Sequence, residues 1–303
     1  MKNFRTILVV ALAAAMLICL SGCTVKLNYN YDNADKYIPG DREITERIEN
    51  IDIDYMAGNV TVKGDKTTSV TVKETLKTEI EDKLKVHTWV DGSTLHVKYC
   101  AAGNGLSIKD LEKSVEITVP ADMKLTDLSI DDSAGDVSVD CSADNYDIDA
   151  SAGSITIIQH GESDEVEIDD SAGDVDVTAE TIGKLEVDIS SGSLDVTAED
   201  VRKLEADISS GGLKFSADKV PEKSEIDVSS GDIELYLPEQ IDLTLTADIS
   251  SGDFNSEIPF TVKGDDYIFG SGKNKMDIDV SSGDINIRNK YEIWNQYWAK
   301  SSQ

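Results

Sequence analysis

The sequence predicts an all-β protein folded as a β-solenoid, and three observations lead to that fold. One unit recurs along the chain with a glycine in its turn, and the first seven glycines follow one another at intervals of 18 to 21 residues. Apolar and polar residues alternate on both sides of each glycine, which is typical of strands with one buried face. Ser-Ser-Gly or Ser-Ala-Gly marks the turn between the strands. The glycines are Gly135, Gly153, Gly173, Gly192, Gly211, Gly231, Gly252 and Gly283.

Aligning the units on these glycines gives columns of like residues. Positions two and four residues after the glycine are apolar in every unit except at Ser256, and the position five residues before it is also apolar. Each unit therefore predicts two short strands and two turns. A single rung cannot bury its apolar face, so several rungs must stack about 4.8 Å apart. The alternative that the same pattern allows is a row of stacked hairpins folded into a β-sandwich.

The N-terminus has the layout of a secretory signal. Lys2 and Arg5 precede an apolar run over residues 7–20, which is too short to span a bilayer. The run ends in the letters LSGC, and this string resembles the lipobox of bacterial lipoproteins. We therefore predict a lipoprotein signal peptide over residues 1–22 and fatty acylation, such as palmitate, on Cys23. An ordinary signal peptide with a chance cysteine is the alternative.

The rest of the chain divides by pattern. Residues 23–50 carry the lipidated cysteine and a polar tether, and residues 51–125 form an N-terminal β region that opens with a degenerate unit around Gly58. Residues 126–290 form the β-repeat domain, in which a 31-residue last interval places an insertion before the final unit. Residues 291–303 place Tyr291, Trp294, Tyr297 and Trp298 at helical spacing, which predicts an aromatic C-terminal cap.

Composition excludes some functions and leaves others open. A formal charge of −31 argues against binding to nucleic acid through a basic patch. The three histidines are poor material for catalysis, although His87 and His96 flank a predicted Asp91-Gly92 hairpin turn and could approach each other. Cys100 and Cys141 could form a disulfide outside the cytoplasm, and the sequence leaves that pairing open.

One set of residues merits a chemical hypothesis. An aspartate stands four residues before every glycine and would form an acidic column if the rungs stack. Carboxylates at several adjacent positions suit Ca²⁺, which would then bind between rungs. The alternative is that these side chains accept hydrogen bonds from backbone N–H groups of their own turns, with no cofactor. The candidate metal ligands are Asp131, Asp149, Asp169, Asp188, Asp207, Asp227, Asp248 and Asp279.

Several motifs together resemble a known family. They are the lipobox, the ITVP segment at residues 117–120, the SSGD turns, and a closing Gly270-Ser271-Gly272 before residues 279–285. From about Ile51 to Ile287 the chain is similar to the β-strand-repeat family of candidate adhesins known as domain of unknown function 4097. The resemblance implies a surface β-repeat protein with an adhesive or envelope-sensing role, and it supplies no catalytic residue.

We therefore expect a non-enzymatic protein of the cell envelope, located outside the cytoplasm and anchored to the membrane by lipid on Cys23. Its acidic β-repeat surface would serve adhesion or the binding of a partner, either a protein or an envelope polymer. The alternative is a structural or stress-sensing envelope element without a specific ligand.

Overall fold

The computed structural model describes residues 27–106 and 113–290, and it confirms the predicted all-β solenoid. The signal peptide, Cys23 and the aromatic segment 291–303 lie outside the described residues. Two short 3-10 helices, Ala34–Lys36 and Asp82–Leu84, interrupt an otherwise β structure. No helix within the described ranges is long and apolar enough to cross a membrane.

The N-terminal region, residues 27–106, contributes nine strands. They are β1 (Leu27–Tyr29), β2 (Ile38–Pro39), β3 (Arg42–Ile44), β4 (Asn50–Tyr55), β5 (Val60–Asp65), β6 (Val70–Leu76), β7 (His87–Asp91), β8 (Thr94–Lys98) and β9 (Asn104–Leu106).

Sixteen strands follow, and three of them turn a corner without a break, so that one strand serves two sides of the solenoid. They are β10 (Lys113–Pro120), β11 (Lys124–Asp132), β12 (Val137–Asp140), β13 (Ser142–Ala150), β14 (Ile155–Asp170), β15 (Val175–Ile189), β16 (Leu194–Ile208), β17 (Leu213–Ala217), β18 (Lys223–Ser230), β19 (Ile233–Leu237), β20 (Leu243–Ile249), β21 (Phe254–Ser256), β22 (Thr261–Lys263), β23 (Asp266–Phe269), β24 (Asn274–Ser282) and β25 (Ile285–Asn289).

Each rung crosses two parallel sheets that face each other across the core. The first sheet holds the strand before each glycine, in the order β8, β4, β11, β13, the second halves of β14 to β16, then β18, β24 and β20. The second sheet holds the strand after each glycine, in the order β10, β5, β12, the first halves of β14 to β16, then β17, β19, β25 and β21. Consecutive hairpins would pair antiparallel, so this parallel pairing excludes the sandwich alternative.

The turn glycines permit the close stacking of rungs. Gly192 has a φ of 146°, and a Cβ added there would lie 1.6 Å from the carbonyl oxygen of Gly173 in the next rung. A side chain at this position would separate the two turns, whose backbones are joined by the hydrogen bond from the Gly173 N–H to the Ser191 carbonyl at 3.0 Å. Glycine therefore recurs because backbone meets backbone at each turn.

The order of rungs in space departs from the order in sequence at the C-terminal end. Strand β24, from the last unit, lies between β18 and β20, so the unit of Gly283 is inserted between those of Gly231 and Gly252. The predicted insertion forms the antiparallel hairpin β22–β23, which pairs with β20 and ends the parallel stack. Phe254, Phe260, Tyr267 and Phe269 pack together there, with ring centroids 4.1 to 5.7 Å apart.

Part of the predicted tether packs on the domain instead of standing free of it. Strands β1, β2 and β3 pair antiparallel with β9, β7 and β6, and Tyr29, Ile44 and Ile48 are buried. These residues supply partners to the antiparallel strands that cover the N-terminal end of the stack. The sequence lacked a sustained apolar period here because only isolated side chains are buried, in very short strands.

A deletion test follows from the register. Leu194 lies opposite Leu213, so removing the 19 residues Leu194–Gly212 takes out one complete rung and brings β17 and β18 onto β15. This variant should fold and unfold cooperatively with reduced stability, because every remaining apolar column stays in phase. Removing only Leu194–Lys203 should abolish folding. Circular dichroism shows whether each variant folds, and urea unfolding measures its free energy of unfolding. Equal tolerance of the two deletions would contradict the stacked-rung register.

Candidate functional site: an acidic face on the first sheet

The predicted aspartates form one continuous column on the solvent side of the first sheet. Strand pairing places each of them opposite the next, at the spacing of about 4.8 Å that neighbouring strands adopt. Asp54, from the degenerate first unit, extends the column, and sequence reasoning missed it because that unit lacks the Ser-Ser-Gly turn. In spatial order the aspartate column is Asp54, Asp131, Asp149, Asp169, Asp188, Asp207, Asp227, Asp279 and Asp248.

Two further charged columns run beside the aspartate column. Six residues before the glycine the side chains are mostly acidic, and eight residues before it a run of lysines follows. The second acidic column contains Asp52, Asp147, Glu167, Glu186, Glu205, Glu225 and Asp277, and the lysine column contains Lys184, Lys203, Lys223 and Lys275. Both columns could have been found by extending the glycine alignment two and four residues further upstream.

The lysines pair with the second acidic column. The Lys184 ammonium contacts Glu186, lies 3.3 Å from a carboxylate oxygen of Glu165 and lies 3.4 Å from one of Glu205. Lys223 lies 2.7 Å from Glu225. Because the second acidic column stands between the lysines and the aspartate column, these contacts balance its charge more than that of the aspartates.

The aspartate column carries signs of mutual repulsion. Burial, followed by the neighbouring Asp169 and Asp147, raises the pKa of Asp149 to about 6. Burial and the adjacent Asp207 and Asp279 raise the pKa of Asp227, and burial and Asp54 raise that of Asp131. Desolvation and like charges both disfavour the ionised form of a carboxyl group. The folded protein therefore holds these carboxylates close together at an electrostatic cost.

The N-terminal end of the acidic face has basic partners. Lys98 lies 3.4 Å from Asp54 and 3.9 Å from Asp52, and His96 Nδ1 lies 2.6 Å from Asp52. Trp89 stacks on the His96 ring with centroids 5.3 Å apart. The acidic face is thus bounded at this end by a cation and an aromatic pair.

A different set of aspartates forms hydrogen bonds at the turns, and these bonds join neighbouring rungs, whereas the sequence predicted bonds within a single turn. The residue directly after the glycine accepts a hydrogen bond from a backbone N–H of the adjacent rung: Asp136 from Ser154 at 3.0 Å, and Asp174 from Ser193 at 2.9 Å. Asp232 and Asp284 do the same at the C-terminal end. These side chains join one rung to the next and stabilise the stack.

No group of three or more His, Cys, Asp or Glu residues in the described ranges has the geometry to hold a metal ion. In the aspartate column, side chains related by one strand spacing extend in a line along a flat sheet. Ca²⁺ needs six to eight oxygen ligands converging at 2.3–2.6 Å. Ca²⁺ binding at the eight predicted aspartates stays a prediction.

The histidines and cysteines singled out in the sequence can be placed within the described residues. His87 and His96 lie on paired strands, but their register partners are Lys98 and Trp89, so the pairing does not set them opposite each other. Cys100 and Cys141 are buried thiols and do not form a disulfide. Cys141, Asp140 and His160 line a cavity of about 100 Å³. Burial raises the pKa of the Cys141 thiol to about 12, which keeps it protonated and a poor nucleophile.

The rungs, their turn glycines and their charged outer columns define a β-solenoid with an acidic outer face. The profile of the Toastrack family, DUF4097, matches residues 48–288. The chain therefore belongs to that family, which confirms the resemblance drawn from the sequence.

Several solved structures are similar to the chain at low sequence identity. A candidate cell adhesion protein from Clostridium sporogenes is 15% identical and matches 83% of this chain and 100% of its own, with a TM-score of 0.30. A candidate lipid-binding protein from Parabacteroides distasonis is 18% identical over 82% and 96%, with a TM-score of 0.46. A candidate adhesin from Bacteroides fragilis is 14% identical over 83% and 97%, with a TM-score of 0.38. No curated protein sequence matches the chain.

Acid should stabilise the domain through the aspartate column. Since the pKa values of Asp131, Asp149 and Asp227 are raised in the folded state, the native protein binds more protons than the unfolded chain, and stability increases as pH falls from about 7 to about 4. We expect the Tm to rise by about 2–5 °C over that interval. The double variant Asp149→Asn/Asp227→Asn should show a smaller rise, whereas Asp122→Asn, at an exposed turn, should match the wild type. A Tm that falls steadily towards acid would contradict repulsion.

The Ca²⁺ prediction is tested at pH 7. A saturable increase in Tm with Ca²⁺ alone would identify a cation site, while equal effects of CaCl₂, MgCl₂ and NaCl on the Tm at matched ionic strength indicate screening.

Proposed function

We propose that this protein is a non-enzymatic, lipid-anchored protein of the cell envelope that presents the acidic face of its first sheet to a partner. The partner is an adhesive target, either a protein or an envelope polymer, that carries cationic groups. The observation that carries this proposal is the aspartate column, nine carboxylates in register beside a second acidic column on an exposed sheet. Clustered like charges lower the stability of the folded protein. Their presence on one face is explained if they bind a partner.

The scaffold supports binding because it fixes the charges before a partner arrives. Parallel strand pairing holds each aspartate, and alternate residues such as Ile148 and Ile168 are buried in the core beneath. Little conformational entropy is then lost at the backbone on association. A field of one sign also accelerates encounter with an oppositely charged partner, and this acceleration weakens with salt.

The proposed anchor would hold the solenoid by one end. Cys23 lies four residues before β1, and strands β1 to β3 belong to the antiparallel cover at the N-terminal end of the stack. Nine rungs at about 4.8 Å extend roughly 40 Å from that end. Lipid on Cys23 would therefore place the acidic face along the side of a rod that points away from the membrane, accessible to a partner over its length.

A structural or stress-sensing element without a specific ligand is the second candidate. The rung-to-rung hydrogen bonds of Asp136 and Asp174 and the rigid stack favour it, because they serve the scaffold and not a ligand. The two candidates differ in whether the aspartate column is needed for retention of a partner.

The anchor is tested at Cys23. Replacement by Ala removes the sulfur that would form the thioether, so fatty-acid label should be lost and the protein should remain uncleaved and larger. Metabolic labelling with a palmitate analogue followed by gel analysis of the membrane fraction measures both effects. Cys19→Ala, within the predicted signal, is the matched control and should label normally. Label that persists on the Cys23→Ala protein would refute the anchor.

The binding face is tested with two triple variants of equal charge. Asp188→Asn/Asp207→Asn/Asp227→Asn neutralises the centre of the aspartate column, and Asp122→Asn/Asp176→Asn/Asp265→Asn neutralises exposed aspartates elsewhere. Retention of surface extract on immobilised protein should be reduced roughly three- to tenfold by the first triple and little by the second, and more at low salt than at high salt. Equal retention by both variants, or no salt-sensitive retention at all, favours the structural candidate.

A further inference from the structure

Two aspartates break the apolar pattern of the core. Asp132 and Asp170 follow the exposed aspartates of their units and point inward, with exposed fractions of 0% and 3%. In the later rungs the same inward position is occupied by Ile189, Ile208, Val228 and Val280. Both exceptional units read Asp-Asp-Ser-Ala-Gly-Asp. The proposed function makes no use of either side chain.

These buried carboxyl groups lack the partners that an ionised group needs. Neither oxygen of Asp132 has a hydrogen-bond partner among the described residues, and Oδ2 of Asp170 also lacks one. Asp170 Oδ1 accepts a hydrogen bond from the Ala172 N–H at 3.2 Å. The hydroxyl of Tyr55, which lies opposite Asp132 in the neighbouring strand, is buried and lacks a partner as well. An isolated buried carboxylate is strongly disfavoured unless it is protonated.

The surroundings of Asp132 add no compensating cation. Asp131 and Asp136, on its own strand and turn, add negative charge nearby, and Tyr55 and Tyr99 are the titratable groups on the N-terminal side. Ala150, on the opposite neighbouring strand, is neutral. Burial is the main cause that raises the pKa of Asp132 to about 7, and the dipole of the nearby Ala134 N–H lowers the pKa in part without forming a hydrogen bond of normal geometry.

The nearest buried cation is already bound to other groups. The Lys113 ammonium lies 2.7 Å from Glu74 Oε1 and 2.7 Å from the carbonyl oxygen of Leu84, over the rings of Tyr99 and Tyr55. Lys113 therefore neutralises Glu74. For Asp170 the facing charge is Asp174, and burial raises the pKa of Asp170 to about 6.

We propose that Asp132 and Asp170 form a pH-sensitive latch, which keeps the turns at Gly58, Gly135, Gly153 and Gly173 closed when the two carboxyl groups are protonated and lets them open when they ionise. These four turns are consecutive in the stack: Gly135, Gly153 and Gly173 each meet the backbone of the glycine before them, and Gly58 meets the backbone of Lys113. A protonated Asp132 is neutral and can remain in the core, because burial disfavours mainly the ionised form. An ionised Asp132 reaches water only if its turn, residues Ser133 to Gly135, moves outward. The latch thus joins the N-terminal region to the repeats tightly in acid and loosely above neutral pH.

The direction of the pH effect on turn opening follows from the linkage between protonation and folding. Because the folded pKa of each group lies above the unfolded value of about 3.9, the closed form is most favoured below that value and is progressively lost as pH rises through about 6 and 7. One proton changes the opening equilibrium at most about tenfold per pH unit. This effect is local to four turns, whereas repulsion in the aspartate column extends along the whole solenoid.

Hydrogen–deuterium exchange at pH 5 and pH 8, corrected for intrinsic exchange rates, tests the latch on the full mature chain. Peptides covering residues 55–59 and 132–136 should gain at least about tenfold in protection at pH 5 in the wild type. Peptides around Gly211 report the general effect of the aspartate column, and the gain at the two latch peptides should exceed theirs. In the double variant Asp132→Asn/Asp170→Asn the gain at the latch peptides should fall to that at Gly211, whereas Asp122→Asn should behave as the wild type.

Two outcomes would overturn the latch. One is a gain in protection of these turns at pH 5, beyond that at Gly211, that survives in the double variant. The other is a carboxyl ¹³C titration of the wild-type protein that places Asp132 below about pH 5, a measurement that serves even if the double variant does not fold. Neither readout depends on a partner or on lipid, so failure of the proposed function would leave this result unaffected.

Discussion

The stacking of backbone on backbone at the turns is the constraint on which the rest of the structure depends. At Gly192 the chain approaches the carbonyl of Gly173 so closely that no Cβ fits, and the same contact recurs from Gly135 to Gly283. Because each turn is fixed on the one before it, the strands on either side must pair in parallel and in register. Every column of side chains, buried or exposed, is a consequence of that pairing.

The same register has opposite effects inside and outside the solenoid. Inside, it places Val175 on Leu194 and Leu194 on Leu213, so that each rung completes the apolar surface of its neighbour. Outside, it places Asp207 on Asp227, where like charges repel. Burial in the core outweighs that repulsion, and the lysines beside Glu186 and Glu225 reduce the charge of the second acidic column. The scaffold can therefore display a density of carboxylates that a loop could not hold.

The two ends of the stack show how an open parallel array is closed. At the C-terminal end the unit of Gly252 forms the outermost rung, and the β22–β23 hairpin follows it in the chain. The last unit, which contains β24, then pairs between that outermost rung and the unit of Gly231. At the N-terminal end β6 and β7 pair antiparallel with β10 and β8. Antiparallel strands at both ends interrupt the repeating register, which limits further addition of rungs or of other chains. The polar exceptions in the core, Asp132 and Asp170, lie near the N-terminal end, where the units are least regular.

The sequence by itself determined the rung: its two strands, its turn glycine, its buried columns and the aspartate column could all be predicted, because alternation and a period near 20 residues are local properties of the chain. Only the tertiary structure decided which rung neighbours which, since the insertion of β24 between β18 and β20 depends on pairing between distant segments. It also placed β1 to β3 on the domain and extended the column to Asp54. Periodicity specifies which segments form rungs but not the order in which the rungs stack, because each rung presents nearly the same strand edges to any neighbour. The contacts at the two ends of the stack determine that order.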